Sequence, residues 1–297
     1  MTARATDFQA IVLAVTCFTL WVLADSTIKL IGRSGLPAYQ VIAFMGLVMC
    51  ACLAAYARAR GSLAVLWPTQ PRRQLVRSCL DLTNNLCVVV ALRHVPLTLF
   101  YILIFSAPMV ITILAAVFLK EKIEWRKGLA IVLGFAGVVI AVDPFGTSRP
   151  GDWIGYIACL VCVACFSVNM VWSRVLTRTE TTESLTFFSG AVMAAAGFAM
   201  MLWHAEPLTP RQLVALLAMG IFCAGGSICF FLAVKHTSAS TVSLYHYTQL
   251  LTGAVVSYLV WRELPTLWIL LGGSLIVAAG LHIALLASRG GGMGRAL

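Results

Sequence analysis

The chain has 297 residues, of which 61% are hydrophobic and 11% charged, and its formal net charge is +10. So few charged side chains cannot coat a water-facing surface, and a mean hydropathy of +0.94 excludes a soluble domain in favour of an integral membrane protein. The positive balance does not call for nucleic acid, because it has a topological cause, set out below.

A helix that crosses the hydrocarbon core of a bilayer needs about 20 mostly apolar residues. Ten such stretches lie between the charged and Pro/Gly breaks, at 8–31, 37–57, 74–93, 97–119, 126–142, 151–173, 184–203, 210–234, 238–261 and 265–287. The first is too long for the apolar core of a signal peptide, is interrupted by Asp25 and Lys29, and precedes no small-x-small cleavage site; it is read as helix 1. The loops are short and leave no room for a soluble domain, and the tail GGGMGR is expected to be disordered. All ten cysteines fall inside the predicted helices. Their spacing fits no metal site, so they are read as small packing residues, and no metal or cofactor is expected.

The chain repeats itself. Residues 91–134, ALRHVPLTLFYILIFSAPMVITILAAVFLKEKI…IVLG, are echoed at 233–272 by AVKHTSASTVSLYHYTQLLTGAVVSYLVWREL…ILLG. Ala91, Arg93, His94 and Glu121 fall on Ala233, Lys235, His236 and Glu263 at a constant shift of 142. A five-helix unit crosses the membrane an odd number of times, so its second copy is inverted, the sequence trace of an alternating-access transporter. The predicted architecture is all-α, with ten transmembrane helices as two inverted five-helix repeats, 1–146 and 147–288, and a tail at 289–297. With the N-terminus inside, the inner loops and ends carry 15 of the 21 Lys and Arg residues. Basic residues resist translocation, so both termini are expected in the cytoplasm. Short loops and an Arg-to-Lys ratio of 16 to 5 point to a bacterial inner membrane.

Residues 118–140, FLKEKIEWRKGLAIVLGFAGVVI, and 260–280, VWRELPTLWILLGGSLIVAAG, resemble the two signature stretches of the EamA-type drug/metabolite transporter superfamily. Each has an apolar helix ending at a glutamate, a short turn, and a glycine-bearing helix. The resemblance covers nearly the whole chain. It implies two inverted repeats around a central cavity lined mainly by helices 3, 4, 8 and 9, with contributions from 1 and 6. It also implies export of a small-molecule substrate, and the overall similarity favours the amino-acid exporter branch.

The residues point to a cavity in the same place, because polar groups deep in a membrane helix mark either a helix–helix contact or a watery path. Asn84 and Asn85 sit near the middle of helix 3, and the repeat shift sets them on Gly226 and Ser227 of helix 8. They either contact substrate or hold helix 3 to a neighbour. Tyr101, Phe105 and Pro108 share one face of helix 4, and the shift sets them against Ser243, Tyr247 and Leu250 of helix 9. Helix 9 carries a polar stripe, Ser238, Thr241, Tyr245, Gln249 and Thr252, and an ionisable His246 that is either a titrating group or a helix–helix hydrogen-bonding one. Pro108 removes an intrahelical hydrogen bond and is the first hinge candidate. Gly225, Gly226, Gly272 and Gly273 are read as sites of close helix approach.

Asp25 lies four residues before Lys29 and Arg77 four before Asp81, spacings that suit intrahelical ion pairs. Asp25 and Asp81 are also the acids placed for coupling or gating. The centre of helix 1 reads TLWVLA, without the acid by which the small multidrug exporters of the wider superfamily exchange protons for cations, which argues against proton-coupled cation efflux and for a facilitator without obligatory proton coupling. The chain carries no zinc-protease, nucleophile-elbow or phosphate-loop motif, so an enzyme is not expected. The expected partners are the bilayer and an amino acid or similar zwitterion. A different metabolite or drug, carried with or without protons, is the alternative.

Overall fold

The computed structural model describes residues 2–32, 34–107, 109–110, 113–114, 125–142, 152–176, 179–236 and 245–290. Among them the chain forms ten α-helices and no strand. They are α1 (Thr2–Gly32), α2 (Ala38–Ala59), α3 (Pro71–His94), α4 (Leu97–Ile104), α5 (Trp125–Val142), α6 (Asp152–Leu176), α7 (Thr182–Met201), α8 (Pro210–His236), α9 (Thr248–Trp261) and α10 (Leu267–Gly290). Every predicted segment overlaps one of them. In hydrocarbon each backbone N–H and C=O must find its partner within the chain, and a helix meets that demand segment by segment. Five helical stretches, Ile11–Gly32, Ala38–Ala59, Pro71–His94, Thr182–Met201 and Pro210–Phe230, are long and apolar enough by themselves to span a bilayer. Large apolar side chains point outward, as with Val132 and Val139 of α5, Leu160 of α6 and Leu270 of α10. This is the surface of a protein whose outer solvent is lipid.

The helix pairs reveal the duplication. α1 packs on α8 and α3 on α6; α1 also meets α9 and α4 meets α6; α2 meets α8 and α3 meets α7. Exchanging each helix with the one five places along converts the first member of each couple into the second. The pairs α2·α7, α4·α9 and α5·α10 map onto themselves. Two of these self-paired interfaces are glycine contacts: a Cβ on Gly190 of α7 would sit 3.1 Å from the carbonyl oxygen of Gly46 of α2, and one on Gly137 of α5 would sit 2.8 Å from that of Gly272 of α10. Missing side chains let these backbones touch. Gly226 lies likewise under the Trp21 ring and Gly273 under Ile102, whereas a Cβ at Gly225 would meet only a Leu20 methyl at 3.4 Å.

The two repeats are fastened to each other at both ends of the bundle. At the end rich in basic residues, Glu180, between α6 and α7, accepts the backbone N–H of Thr69 at 3.0 Å and of Gln70 at 2.5 Å, just before α3. Burial works to raise the Glu180 carboxyl, but these bonds, with those from the Thr69 hydroxyl and the Gln74 side chain, outweigh it and hold it below its ordinary 4.5. At the opposite end Lys29 of α1 pairs with Glu263 of the α9–α10 turn. Gln40 of α2 exchanges two hydrogen bonds with the backbone of Glu206, at 2.8 and 3.1 Å.

Helices 4 and 9 depart from the expected continuous spans. Regular helix stops at Ile104, and the next residues tighten into a turn: Ser106 N and Ser106 Oγ both donate to the Leu103 carbonyl, at 3.0 and 2.7 Å. A hydroxyl that competes for a helix carbonyl loosens the ladder at that point. Pro108, the expected hinge, lies outside the described residues. On the other repeat Tyr245 is helical, His246 and Tyr247 form a turn where Thr248 Oγ1 donates to the Tyr245 carbonyl at 2.6 Å, and α9 follows from Thr248. Residues 237–244, with Ser238, Thr241 and Ser243, lie outside the described residues. The shift of 142 sets Phe105 on Tyr247, so the two turns occupy matching places in the repeats.

Candidate functional site

Of the residues singled out in the sequence, Asp25 and Tyr101 come together between α1 and α4, and Phe105, His246 and Tyr247 meet with α1 and α6 beside them. On α1, Phe18, Trp21 and Asp25 follow one face at spacings of three and four. The Asp25 carboxylate accepts the Tyr101 hydroxyl of α4 at 2.8 Å. It lies seven residues from Gly32, about 10 Å inside the end of the helix at 1.5 Å per residue. The expected pair of Asp25 with Lys29 does not form. Residues i and i+4 share a face, but Lys29 extends toward the helix end, where Glu263 is available and its ammonium lies 4.6 Å from the centre of the Trp261 ring.

The Arg77–Asp81 pair does not form either. Arg77 Nη1 reaches across to α7 and donates to the Leu185 carbonyl at 3.1 Å and to Ser189 Oγ at 2.9 Å. Asp81 instead accepts the Asn169 amide of α6 at 3.2 Å. Both arginine and aspartate therefore join the two repeats to each other, which intrahelical pairing would not do.

Asn84 and Asn85 separate. Asn84 Oδ1 accepts the Cys162 thiol of α6 at 3.0 Å, a contact between the repeats, whereas Asn85 Nδ2 turns back to the Asp81 carbonyl of its own helix at 2.8 Å. Ser227 is half-buried on α8 beside Gly226. Gln249 is buried and its amide lies 3.5 Å from the Phe18 carbonyl; Thr252 Oγ1 bonds the Thr248 carbonyl of its own helix at 2.9 Å. The polar stripe of helix 9 thus ends in helix contacts where it is described. Tyr245 packs against the cluster of Ala14, Cys17, Phe18 and Ala233.

His246 stands at the centre of an aromatic group. Its ring stacks on Phe18 at 4.9 Å between centroids and 24° between planes, meets Phe105 edge-on at 5.2 Å and 88°, and lies 6.0 Å from Phe166 of α6. Phe105 also lies 5.2 Å from Tyr247, so the two turns of helices 4 and 9 touch through their rings. Tyr101 is fully buried and its ring covers Gly253 of α9. The Asp25–Tyr101 bond and the rings around His246 escaped the sequence reading, because no periodicity links residues on different helices. The one available signal was that both Asp25 and Tyr101 are polar groups inside predicted spans.

Among the described residues no group of three or more His, Cys, Asp or Glu side chains could hold a metal ion, and the cysteines are free thiols.

The profile of the EamA-like transporter family matches residues 8–142 and 153–285, one match in each repeat. Similar proteins include an S-adenosylmethionine uptake transporter of Rickettsia bellii, 28% identical over 63% of this chain and 64% of its own length. Another is the pseudopaline exporter CntI of Pseudomonas aeruginosa strain PAO1, 27% identical over 82% of this chain and 85% of its own. A third is a riboflavin transporter of Brucella anthropi, 23% identical over 84% and 89%. The chain spans less than two thirds of the length of the Rickettsia protein that it matches. A solved crystal structure shares the fold, with a TM-score of 0.65 at 21% identity over 97% of this chain and 98% of that one.

Proposed function

Because the chain belongs to the EamA-like transporter family, we propose that it is a multi-pass carrier of a bacterial inner membrane that moves a small zwitterionic metabolite, an amino acid or a derivative of one, outward by alternating access. The observation that carries this reading is the Asp25–Tyr101 hydrogen bond, made inside an apolar bundle at the meeting of both repeats. An ionisable group held there is costly unless it serves a path or a ligand. In this proposal the two repeats, 1–146 and 147–288, rock about the cavity with both termini in the cytoplasm, and contacts such as Lys29–Glu263 and Glu180–Gln70 close its two ends in turn.

Asn84, Asn85, Tyr101, Phe105, Ser227, Ser243, Tyr245, His246, Tyr247 and Gln249 are the proposed substrate contacts. Pro108 is the proposed hinge. Flux follows the substrate gradient, and Asp25 and Asp81 are the groups through which protons would enter the cycle if it does not. A second reading, carriage of another metabolite on the same fold, is supported by the relatives, whose names specify S-adenosylmethionine, pseudopaline and riboflavin.

Purified protein in liposomes, offered a panel of radiolabelled amino acids and derivatives, tests the proposal. Saturable uptake of at least one of them at equal pH on both sides supports it. Absence of flux across the whole panel, with accumulation of an unrelated metabolite instead, would replace it with the second reading.

A further inference from the structure

Among the described residues the charged groups assigned to the proposed cavity are two carboxylates, Asp25 and Asp81. Cys223 of α8 lies within electrostatic reach of both Asp25 and Asp81, and Cys162 of α6 within reach of Asp25. The two carboxylates, on α1 and α3, therefore lie near the same part of α8. Neither has a basic partner within ion-pair distance among the described residues. The basic groups nearest in sequence are held elsewhere, Lys29 by Glu263 at the bundle end and Arg77 by Leu185 and Ser189 of α7.

Asp25 uses one acceptor site for the Tyr101 hydroxyl. An ionised carboxylate offers about four such sites, so the phenol fixes its orientation and leaves most of its capacity open. The repeat shift sets Asp25 on Ser167, a buried serine whose hydroxyl is spent on the Val163 carbonyl of its own helix at 2.7 Å. The acid is thus present in one repeat and replaced in the other. A residue needed only to hold the duplicated scaffold would be expected in both.

Seven residues deeper on the same face of α1, about 10 Å along the axis, Phe18 meets His246, Phe105 and Phe166. Trp21 stands between, 5.7 Å from Phe18 and 5.6 Å from Phe230. Aromatic faces attract both flat rings and cations.

We infer that the ligand of this site is an organic cation carrying a flat ring, an ammonium group bound at Asp25 beside Tyr101 with the ring lodged toward Phe18, Phe105 and His246. This inference rests on the carrier reading above and narrows its substrate from zwitterions in general to ring-bearing amino-acid derivatives of net positive charge. An anion of the same shape meets two carboxylates with no base in ion-pair distance of either among the described residues, and a cation without a ring leaves the aromatic group unused.

Three probes test it by thermal-shift titration and calorimetry on the purified full-length protein in lipid nanodiscs: tryptamine (cation and ring), indole-3-propionate (anion and ring) and propylamine (cation, no ring). Tryptamine should bind at least about tenfold more tightly than either of the others. Asp25→Asn should remove that preference over indole-3-propionate, and Phe18→Leu should remove the preference over propylamine. Equal binding of tryptamine and indole-3-propionate by the parent protein would overturn the inference whether or not the variants fold. So would a well-folded Asp25→Asn variant that binds tryptamine as the parent does. Because binding is read without flux, tryptamine binding in a protein that moves no metabolite would leave the site standing and remove only the carrier reading. Flux of a metabolite that tryptamine fails to inhibit would remove only the site.

Discussion

Lys29 and Glu263 join α1 of the first repeat to the α9–α10 turn of the second, so any motion that opens that end of the bundle must separate them. The lysine is 5% exposed and the glutamate 28%. Glu263 Oε2 also accepts Ser257 Oγ at 3.3 Å. Breaking a fully buried pair by removing one partner costs about 3–5 kcal/mol, and an exposed pair is worth about 0–1 kcal/mol. With one partner buried and the other partly open to solvent, about 1–3 kcal/mol is reasonable, and this energy is lost on opening. At about 1.4 kcal/mol per decade, Lys29→Gln or Glu263→Gln should raise the population open at that end by roughly 5- to 150-fold. The measurement is the reaction rate of Asn85→Cys with a membrane-impermeant thiol reagent, in a background lacking the ten native cysteines. Each single variant should accelerate labelling, the double variant should add little to either, and the exchange of the two charges should slow it again. Unchanged labelling in all variants, or full additivity in the double, would show that the pair does not hold this end closed.

The Glu180 carboxyl is held below its ordinary 4.5, so its contribution is fully present above that value and is lost as pH falls through the lower folded one. The gap in melting temperature between the parent and Glu180→Gln should therefore be widest near neutrality and shrink below about pH 4.5; a gap that grows on acidification would contradict the assignment. At Gly46 a Cβ would meet the Gly190 carbonyl and lie 2.6 Å from Ala194 N, and Gly46→Val should lose about 1–3 kcal/mol by forcing α2 from α7. Gly225→Ala, facing only Leu20, should melt like the parent. Asn84→Ala should lower flux while folded yield is kept, whereas equal losses of yield and flux would make the Cys162 contact a helix fastening. Cysteines at 147 or 206 should react from outside the cell, and a reporter fused after residue 290 should lie in the cytoplasm; the opposite pattern would invert the topology.

The ten helices were legible because each depends on a local quantity, the hydropathy of about 20 consecutive residues, and because lipid allows almost no other backbone arrangement. The duplication was legible because both copies keep residues such as Glu121 and Glu263 at one shift. The interruption of helix 4 was signalled in part by Pro108, one turn beyond Ile104; that of helix 9 was not. Ser106 and Thr248 are tolerated within helices, and whether their hydroxyls loosen a turn depends on the packing around Phe105 and Tyr247.

The site divides along the same line. Asp25, Tyr101, Phe105 and His246 could be nominated from sequence, since a polar or ionisable residue inside an apolar span is conspicuous wherever it points. Their partners could not. Sequence spacing favoured Asp25 with Lys29 and Arg77 with Asp81, four residues apart on one helix, yet the chain joins Asp25 to Tyr101, 76 residues away, and Lys29 to Glu263, 234 away. A membrane helix can be recognised by itself, but which of its faces meets a neighbour is set by the packing of the whole bundle. In a low-dielectric interior a charged side chain takes the best partner that packing brings within reach, near in sequence or not.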